Sequence, residues 1–417
     1  MNDQDELIAR LSRFYREASA EVSSVPTEWT PVRRPTARWL QPALASMVLV
    51  VLAVGLAVTI RVVRDEAQRK ILPAPLPTPS ASPSPSPSLS PTPSPSPSLS
   101  PAPSWVTRRV PLGQVTTMSL DGAAIFALYF QPPANGGVDL EHSMLARIDR
   151  TSGAVATAGP FPNATELVRV TAGLWIGAGP ERYAPNAGTD WLTLLDPATL
   201  KVKQRVRLPS QPNPGPYTRP YLAGSSNLLW LAYDESLYRL DPTAGRILAT
   251  QSLPGPATSI SIDPSAHRLY VAVVPNGTSP ALVIEFDAST GSRIVSAPTG
   301  GGDLGGPTLA AAPEGVWIAY ATGMMGAVEY RSATDLSLLA GPQSGHTNGI
   351  RAFIAGAALW LVDAGPNRLA CADVRTGSIA AYSQETLPAA VVGDANGTYL
   401  GDADGVGFLR PDPSCPH

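Results

Sequence analysis

Cysteine, histidine and lysine are scarce in this chain. Its 417 residues include two cysteines and four histidines, too few for a disulfide-dense miniprotein or a clustered zinc site. The formal net charge of −3 gives no basic field, so we expect no nucleic-acid partner. The HExxH, GxSxG, phosphate-loop and dinucleotide fingerprints are missing as well. These absences argue against an enzyme and predict no cofactor, while leaving the question of catalysis open.

Only one long apolar run is present. Residues 43–60, "ALASMVLVVLAVGLAVTI", carry no charge. Together with their apolar flanks they are long enough to cross a hydrocarbon core of about 30 Å. The run begins too far from the N-terminus for a typical cleaved signal peptide. We therefore predict one membrane-spanning helix over residues 42–63, which makes the membrane the first expected partner.

The segment before this run, residues 1–41, is polar and has one helical pattern. Apolar residues from Leu7 to Val22 recur at helical spacing, and Pro26 ends the pattern. An isolated helix of this length is only marginally stable in water. Its apolar stripe is therefore expected to rest on the membrane surface, on a second copy or on a cytoplasmic protein, unless it stays partly frayed without a partner.

Proline is concentrated beyond the apolar run. Residues 73–104 alternate proline with small residues, a pattern that forms neither helix nor sheet. Extended as polyproline II, the segment could reach roughly 100 Å. We interpret residues 64–104 as a juxtamembrane stretch and a Pro/Ser-rich linker. Arginines flank the membrane run on both sides, so the charge bias does not orient it. We place the N-terminus in the cytoplasm because a large domain beyond a spacer is typical of extracytoplasmic modules.

The remainder of the chain repeats one motif. "LYRLDPTAGRI", residues 237–247, is an alternating strand that ends in Asp-Pro and a glycine turn. Close copies follow at intervals of 41 to 47 residues, each after an aromatic strand such as "LLWLAYD". The anchors of the repeat are Asp149, Asp196, Asp241, Asp287, Ser332 and Asp373. A period of 40–50 residues with about four strands is typical of β-propeller blades. We predict an all-β fold, a seven-bladed β-propeller over residues 105–417, with six or eight blades as alternatives.

The two ends of this region predict how the ring closes. The seventh repeat stops before a fourth strand, whereas "WVTRRVPL" at 105–112 is an extra strand before the first blade. If this strand completes the last blade, the ring has no open edge. Cys371 and Cys415 would lie in the last blades, where they form either a disulfide, in an oxidising compartment, or two separate thiols.

A family resemblance follows from these repeats. The Leu-Tyr-Val strand at 269–271, the Leu-Trp strands at 229–230 and 359–360, and the Asp-Pro-x-Thr/Ala-Gly turns resemble the bacterial YVTN and quinoprotein-like repeat propellers. The order of helix, span, Pro/Ser stalk and propeller resembles membrane-anchored proteins of actinobacteria. The resemblance implies a propeller over about residues 105–417. Sensors, scaffolds and enzymes share such repeats, so function has to be argued from a site.

Propeller topology indicates where that site would lie. Connections from second to third strands and connections between blades emerge at the same end of the ring. The unequal insertions fall in these two classes, at 131–143, 178–190, 210–220, 299–307 and 341–349. Insertions on a rigid repeat scaffold usually carry binding residues. The candidate ligand-binding residues are Glu141, His142, Glu181, Arg182, Tyr183, Tyr217, Arg219, Asp303, His346 and Arg351.

A calcium site is a weaker alternative elsewhere in the sequence. "GDANGTYLGDADG" at 393–405 places Asp394, Asn396, Asp402 and Asp404 near one another, and oxygen ligands suit Ca²⁺. However, Asn-Gly and Asp-Gly between short strands are strong hairpin signals. We favour plain turns and expect no metal.

The sequence thus predicts a single-pass membrane protein whose propeller is an extracytoplasmic binding, sensing or scaffold module. Its partner would be an extracytoplasmic protein, a glycan or a small molecule, and its N-terminal helix would signal to a cytoplasmic protein. The alternative is a surface-anchored propeller lyase or hydrolase with its site on the long-loop face. Histidine and carboxylate groups converging on that face would favour the enzyme.

Overall fold

The computed structural model describes residues 104–131, 140–179, 191–209, 219–275, 280–299, 306–322, 325–347, 350–363, 368–384, 388–410 and 413–416. The predicted N-terminal helix, membrane span and linker lie outside the described residues, apart from Ser104. Among the residues that are described, no helix is long and apolar enough to cross a membrane.

The described chain forms seven antiparallel sheets of four strands each, and each sheet is one blade. Strands are given from the innermost to the outermost. Blade one contains β2 (Gln114–Asp121), β3 (Ala124–Phe130), β4 (Met144–Asp149) and β5 (Val155–Ala158). Blade two contains β6 (Ala164–Val170), β7 (Gly173–Ala178), β8 (Trp191–Leu195) and β9 (Val202–Arg207). Blade three contains β10 (Tyr221–Ser225), β11 (Leu228–Tyr233), β12 (Ser236–Leu240) and β13 (Ile247–Ser252).

Blade four contains β14 (Ala257–Ile262), β15 (Arg268–Val273), β16 (Leu282–Asp287) and β17 (Arg293–Pro298). Blade five contains β18 (Thr308–Ala312), β19 (Gly315–Thr322), β20 (Met325–Ser332) and β21 (Leu338–Thr347). Blade six contains β22 (Ile350–Ala355), β23 (Ala358–Asp363), β24 (Arg368–Asp373) and β25 (Ile379–Gln384). Blade seven contains β26 (Ala390–Asp394), β27 (Gly397–Asp402), β28 (Gly405–Leu409) and β1 (Val106–Pro111). A short 3₁₀ helix, Leu140–His142, precedes β4.

The blades form a closed ring. Each innermost strand contacts that of the next blade, and β26 of the last blade contacts β2 of the first. The closing strand is β1, which pairs with β28 in the register Val110↔Val406. The seven blades and the closure by the first strand confirm the prediction, and the alternatives of six or eight blades are wrong. Pairing β1 with the last blade leaves that sheet complete, as the other six are.

The repeated aspartate shapes the turn between the third and fourth strands. The Asp241 carboxylate accepts hydrogen bonds from the amides of Thr243 (2.8 Å) and Ala244 (3.0 Å). The Gly245 amide donates to the Asp241 carbonyl at 2.7 Å, and Gly245 has a φ of +62°, which glycine adopts without a side-chain clash. The same pair of carboxylate–amide bonds recurs at Asp149, Asp196, Asp287 and Asp373. The motif thus encodes the reversal into the outermost strand.

The recurring tryptophan joins three of these turns to the preceding blade. The indole of Trp175 in blade two donates to the Pro242 carbonyl in the turn of blade three at 2.9 Å. Trp230 donates to the Ala288 carbonyl of blade four at 3.0 Å, and Trp317 of blade five to a carbonyl of blade six at 2.7 Å. A Cβ on Gly245 would lie 2.7 Å from the Trp175 ring. The turn glycine therefore serves two purposes, a left-handed backbone and close contact with the indole.

At two junctions between blades, other residues stand in place of both the tryptophan and the turn glycine. In blades one and four the tryptophan position holds Phe126 and Tyr270. The turn of the following blade then has Leu200 or Leu336 in place of glycine, each at a φ of +56°. Phe126 shares a buried cluster with Leu200, and Tyr270 shares one with Leu336. A leucine side chain thus occupies the space that the smaller aromatic ring leaves, which preserves dense packing between blades.

The junction of blades six and seven has no such turn, because β1 is not continuous with β28. Trp360 there meets Trp105 edge to face, with ring centroids 6.0 Å apart. Cys371 on β24 forms a disulfide with Cys415 in the C-terminal tail, so the alternative of two separate thiols is wrong. With the cysteines 44 positions apart in the sequence, the bond stabilises the fold by roughly 4 kcal/mol in the chain-entropy model.

Candidate ligand site at the loop end

The two ends of the ring differ in their connections. We call the end with the Asp-anchored turns the turn end, and the end with the second-to-third and inter-blade connections the loop end. The connections at the loop end range from residues 234–235 to residues 208–220. One predicted insertion, 341–349, is wrong. Residues 341–347 belong to β21, where Gly326 pairs with His346, because the strands of blade five are longer and continue pairing beyond the sheet edge of their neighbours.

The structure describes four of the ten candidate ligand-binding residues in full. Glu141 and His142 lie in the 3₁₀ helix before β4 of blade one. Arg219 directly precedes Pro220 and β10 of blade three, and Arg351 is the second residue of β22 in blade six. His346 lies on β21. Glu181, Arg182, Tyr183, Tyr217 and Asp303 lie outside the described residues, as does the side chain of His346.

Arg219 is held at the inner edge of blade three by Tyr221. The guanidinium carbon of Arg219 lies 4.6 Å from the centroid of the Tyr221 ring, a cation–π contact. A side-chain hydrogen bond joins the same two residues. Tyr221 is buried, so it is a fixed support for the guanidinium. Burial lowers the pKa of Arg219, but Tyr221 and Glu166 outweigh it and the net pKa is raised.

Glu166 is the carboxylate of this group. It lies on β6 of blade two, beside a bulge between Ala164 and Glu166. Burial raises its pKa to about 7, while the charge of Arg219 and a hydrogen bond with the Leu222 backbone lower it in part. Glu166 is half-buried. Near neutral pH the Glu166 carboxyl group therefore changes charge.

Arg351 lies at the loop end of blade six, as the second residue of the innermost strand β22. Its guanidinium donates to the Ala389 carbonyl, just before β26, at 3.4 Å. Its pKa is lowered by burial and by the positive charge of Arg219. Blades three and six are three apart in a ring of seven, and both arginines lie where an innermost strand begins at the loop end. Glu166, Arg219, Tyr221 and Arg351 together are named the mouth cluster.

The sequence identified two of these four residues and missed Glu166 and Tyr221. Arg219 lies within the inserted segment 210–220 and Arg351 follows the segment 341–349, which singled them out. Glu166 lies inside the strand "ATELVRV", where an alternating pattern places it among ordinary half-buried positions. The signal that could have identified Glu166 is its charge, since it lies on an innermost strand. Blades two, three and six bring these residues to the same end of the ring, which can be seen only once the ring is closed.

The four residues of the calcium alternative lie at the two ends of one strand. Asp394 and Asn396 lie at the turn between β26 and β27, whereas Asp402 and Asp404 lie at the other end of β27. Six strand residues separate the two pairs by about 20 Å. The Asp394 carboxylate accepts from the Asn396 amide at 2.8 Å and pairs with Arg150, and Asp402 accepts from the Asp404 amide at 2.9 Å and pairs with Arg109. In the described part of the chain, no group of three His, Cys, Asp or Glu residues is placed to hold a metal ion.

Comparisons with known proteins identify the fold of the chain and assign no function to it. No family model matches the chain, and no curated protein matches it. Among solved structures, the Cps50 (Swd1) β-propeller domain of Myceliophteria thermophila is 12% identical, with a TM-score of 0.53 over 74% of this chain and 100% of that one. BamB from Moraxella catarrhalis is 15% identical, with a TM-score of 0.46 over 71% of this chain and 84% of that one. The fold is that of a seven-bladed β-propeller, which 1126 solved chains resemble.

Proposed function

We propose that this chain is a single-pass membrane protein whose propeller is an extracytoplasmic binding, sensing or scaffold module. The observation that carries the proposal is the division of the ring between its two ends. The turn end repeats one motif from blade to blade, and the loop end combines the unequal connections with the mouth cluster. A rigid scaffold with variable loops at one end suits recognition of a protein, a glycan or a small molecule.

The proposed location has two supports. The apolar run at 42–63 and the proline-rich segment that follows it precede the propeller in the chain. The Cys371–Cys415 disulfide is the kind of bond that persists in an oxidising compartment. The N-terminal segment, residues 1–41, would then face the cytoplasm and contact a signalling partner there.

The charged neighbour of Glu166 favours a binding role over the lyase or hydrolase alternative. A carboxyl group with a pKa of about 7 suits acid–base catalysis. In the described part of the mouth cluster its charged neighbour is Arg219, which retains its proton at all physiological pH values. Arg219 can bind and orient an anion but cannot take up a proton from a substrate.

Thiol labelling of intact cells tests the proposed orientation. Both native cysteines are in the disulfide, so an introduced cysteine is the only free thiol of the chain. A membrane-impermeant maleimide should label Lys201→Cys, at an exposed position of the turn end, and should reach Ser12→Cys only after permeabilisation. The reverse pattern, or equal labelling of both variants in intact cells, would overturn the proposed topology.

A further inference from the structure

We propose that a cavity at the loop end of blade two binds one sugar ring of a glycan, with Trp191 as the stacking surface. This inference deepens the proposed binding function and rests on it, because it assigns a ligand class and a place at the loop end. The mouth cluster lies on and beside the innermost strands, whereas the second, third and fourth strands of blade two form this cavity.

The cavity has a volume of about 170 Å³. An apolar site of about 150 Å³ accepts a six-membered ring such as benzene, so there is room here for one ring. Ile176, Thr193 and Arg205 are paired directly across the three strands, which places their side chains on one face of the blade. The lining includes Phe161 from the connection between blades one and two, Ile176 and Ala178 from β7, Trp191 and Thr193 from β8, and Arg205 from β9.

Trp191 differs from the other tryptophans of the described chain. It is 37% exposed, whereas the others that the structure describes are at most 4% exposed: Trp105, Trp175, Trp230, Trp317 and Trp360. Contact between blades explains the buried tryptophans and does not explain an exposed one. An indole presents a broad apolar face with a negative quadrupole, and the C–H groups on one face of a sugar ring stack on such a surface.

The repeat does not require a tryptophan at this position. In the other blades with an anchor, the residue at the same distance before the anchor is Met144, Ser236, Leu282, Ala327 or Arg368. Trp191 also follows directly on the insertion at 178–190. Both the insertion and the exposed ring are therefore particular to blade two, as expected of a binding feature added to a repeated scaffold.

The polar lining favours a sugar ring over an aromatic side chain. Thr193 is only 6% exposed, and its hydroxyl group has no hydrogen-bond partner among the described residues. Within the same part of the chain Arg205 is exposed and forms no ion pair. A phenyl ring would stack on Trp191 but would leave both polar groups without partners, which costs free energy at a buried hydroxyl. A sugar ring offers C–H faces to the apolar lining and hydroxyl groups to Thr193 and Arg205.

Isothermal titration of the full chain, in a detergent without a sugar headgroup, tests the proposal. The probes are trisaccharides of N-acetylglucosamine, mannose, galactose and galacturonate, titrated separately, with phenol as the aromatic probe. We expect saturable binding of at least one trisaccharide, and binding of the galacturonate probe alone would identify an acidic sugar as the ligand. Binding of phenol without binding of a saccharide, or no binding of any probe, would overturn the proposal.

Substitutions in the cavity show whether the binding occurs there. Trp191→Ala should weaken saccharide binding at least tenfold because the stacking surface is lost, and Trp191→Phe should retain part of the affinity. Thr193→Val, which keeps the shape of the side chain, and Arg205→Gln should each weaken binding about threefold to tenfold, the loss of one hydrogen bond. Tyr382→Ala removes an exposed aromatic residue of blade six, and as the matched control it should not change the affinity.

Equal affinity of the wild-type chain and Trp191→Ala would contradict the assigned site. Because Trp191 is exposed, the variant should melt close to the wild-type temperature, which separates loss of the site from loss of the fold. The thiol labelling reports on the membrane arrangement independently. Expected labelling without saccharide binding would therefore overturn the sugar site and leave the proposed topology in place.

Discussion

The turn end and the loop end of the ring are built from opposite kinds of residues. At the turn end, charged groups are satisfied within the repeat, as where the Asp241 carboxylate accepts two amides and the Trp175 indole reaches the same turn. At the loop end, Arg219 lies over the Tyr221 ring, and Glu166 ionises only near neutral pH because burial raises its pKa to about 7. The comparison teaches that repeated stabilising contacts are concentrated at one end, whereas the other end holds charged residues that no repeated motif accounts for. Such a separation is expected where a scaffold supports a binding site.

The largest expected effect is at the turn end, where Trp230→Ala removes a fully buried ring. The substitution leaves a cavity between blades three and four and leaves the Ala288 carbonyl without its indole donor. We expect a loss of about 3–5 kcal/mol in the free energy of unfolding, measured by denaturant titration. Trp230→Phe keeps most of the ring and should lose about half as much. A loss below about 1 kcal/mol for Trp230→Ala would show that the junction does not support the ring.

A smaller difference in stability is expected between alanine substitutions at two glycines that have the same backbone angle. Gly245 and Gly356 both have a φ of +62°. A Cβ on Gly245 would lie 2.7 Å from the Trp175 ring, whereas on Gly356 its nearest neighbour is a backbone oxygen at 3.7 Å. Gly356→Ala should therefore cost only the left-handed strain of about 1–2 kcal/mol. Gly245→Ala should cost about 1–3 kcal/mol more because the junction is overpacked.

Thermal denaturation of the two alanine variants measures this difference. If both melt at the same temperature, contact with the indole plays no part in the selection of glycine at the turn, and only the backbone angle matters.

The ring itself could be predicted from the sequence because each blade repeats local signals. The Asp anchors, the aromatic strands and the unpaired first strand are all visible in the chain, and the structure joins β1 to β28 as expected. The pairing of Trp175 with Gly245 was not predictable in this way, since it links residues of different blades. Leu200 and Leu336 in the glycine position become meaningful only beside Phe126 and Tyr270.

The errors at the loop end have the same origin. The calcium alternative treated residues close in sequence as close in space, although β27 holds the two pairs at opposite ends of the ring. The segment 341–349 is predicted as an insertion between blades, but residues 341–347 continue β21. Glu166 was overlooked because strand periodicity records which face a residue lies on and gives no information about the opposite blade.

The stability that each end contributes should also depend on pH. At the turn end the dependence comes from the anchoring aspartates. Hydrogen bonds from Thr243 and Ser289 are the largest causes that lower the pKa of Asp241 and Asp287 to about 2. A carboxyl group with a folded pKa below its unfolded value stabilises the fold above the unfolded pKa, and that contribution is lost as the pH falls through the folded pKa. The melting temperature should therefore decline between about pH 4 and pH 2.

The variant Asp241→Asn/Asp287→Asn tests the source of this decline. It should be less stable than the wild type at pH 6, where the carboxylates are ionised, and the difference should shrink toward pH 2. A difference that stays constant over this range would mean that the hydrogen bonds do not depend on the ionised form of the two aspartates.

The smallest expected effect is at the loop end and has the opposite sign. The folded pKa of Glu166 is raised to about 7 from an ordinary value of 4.5, so the folded state binds the proton more tightly than the unfolded chain does. Its contribution is present below the unfolded pKa and is lost as the pH rises through about 7. Water in the channel screens the charge, which keeps the effect small. Glu166→Gln should abolish the decline in melting temperature between pH 5 and pH 8, and Glu314→Gln, at an exposed carboxylate of the turn end, should retain it. The melting temperature of Glu166→Gln could instead decline as that of the wild type does. In that case the carboxyl group is not enclosed by the ring, and the two ends differ only in the lengths of their loops.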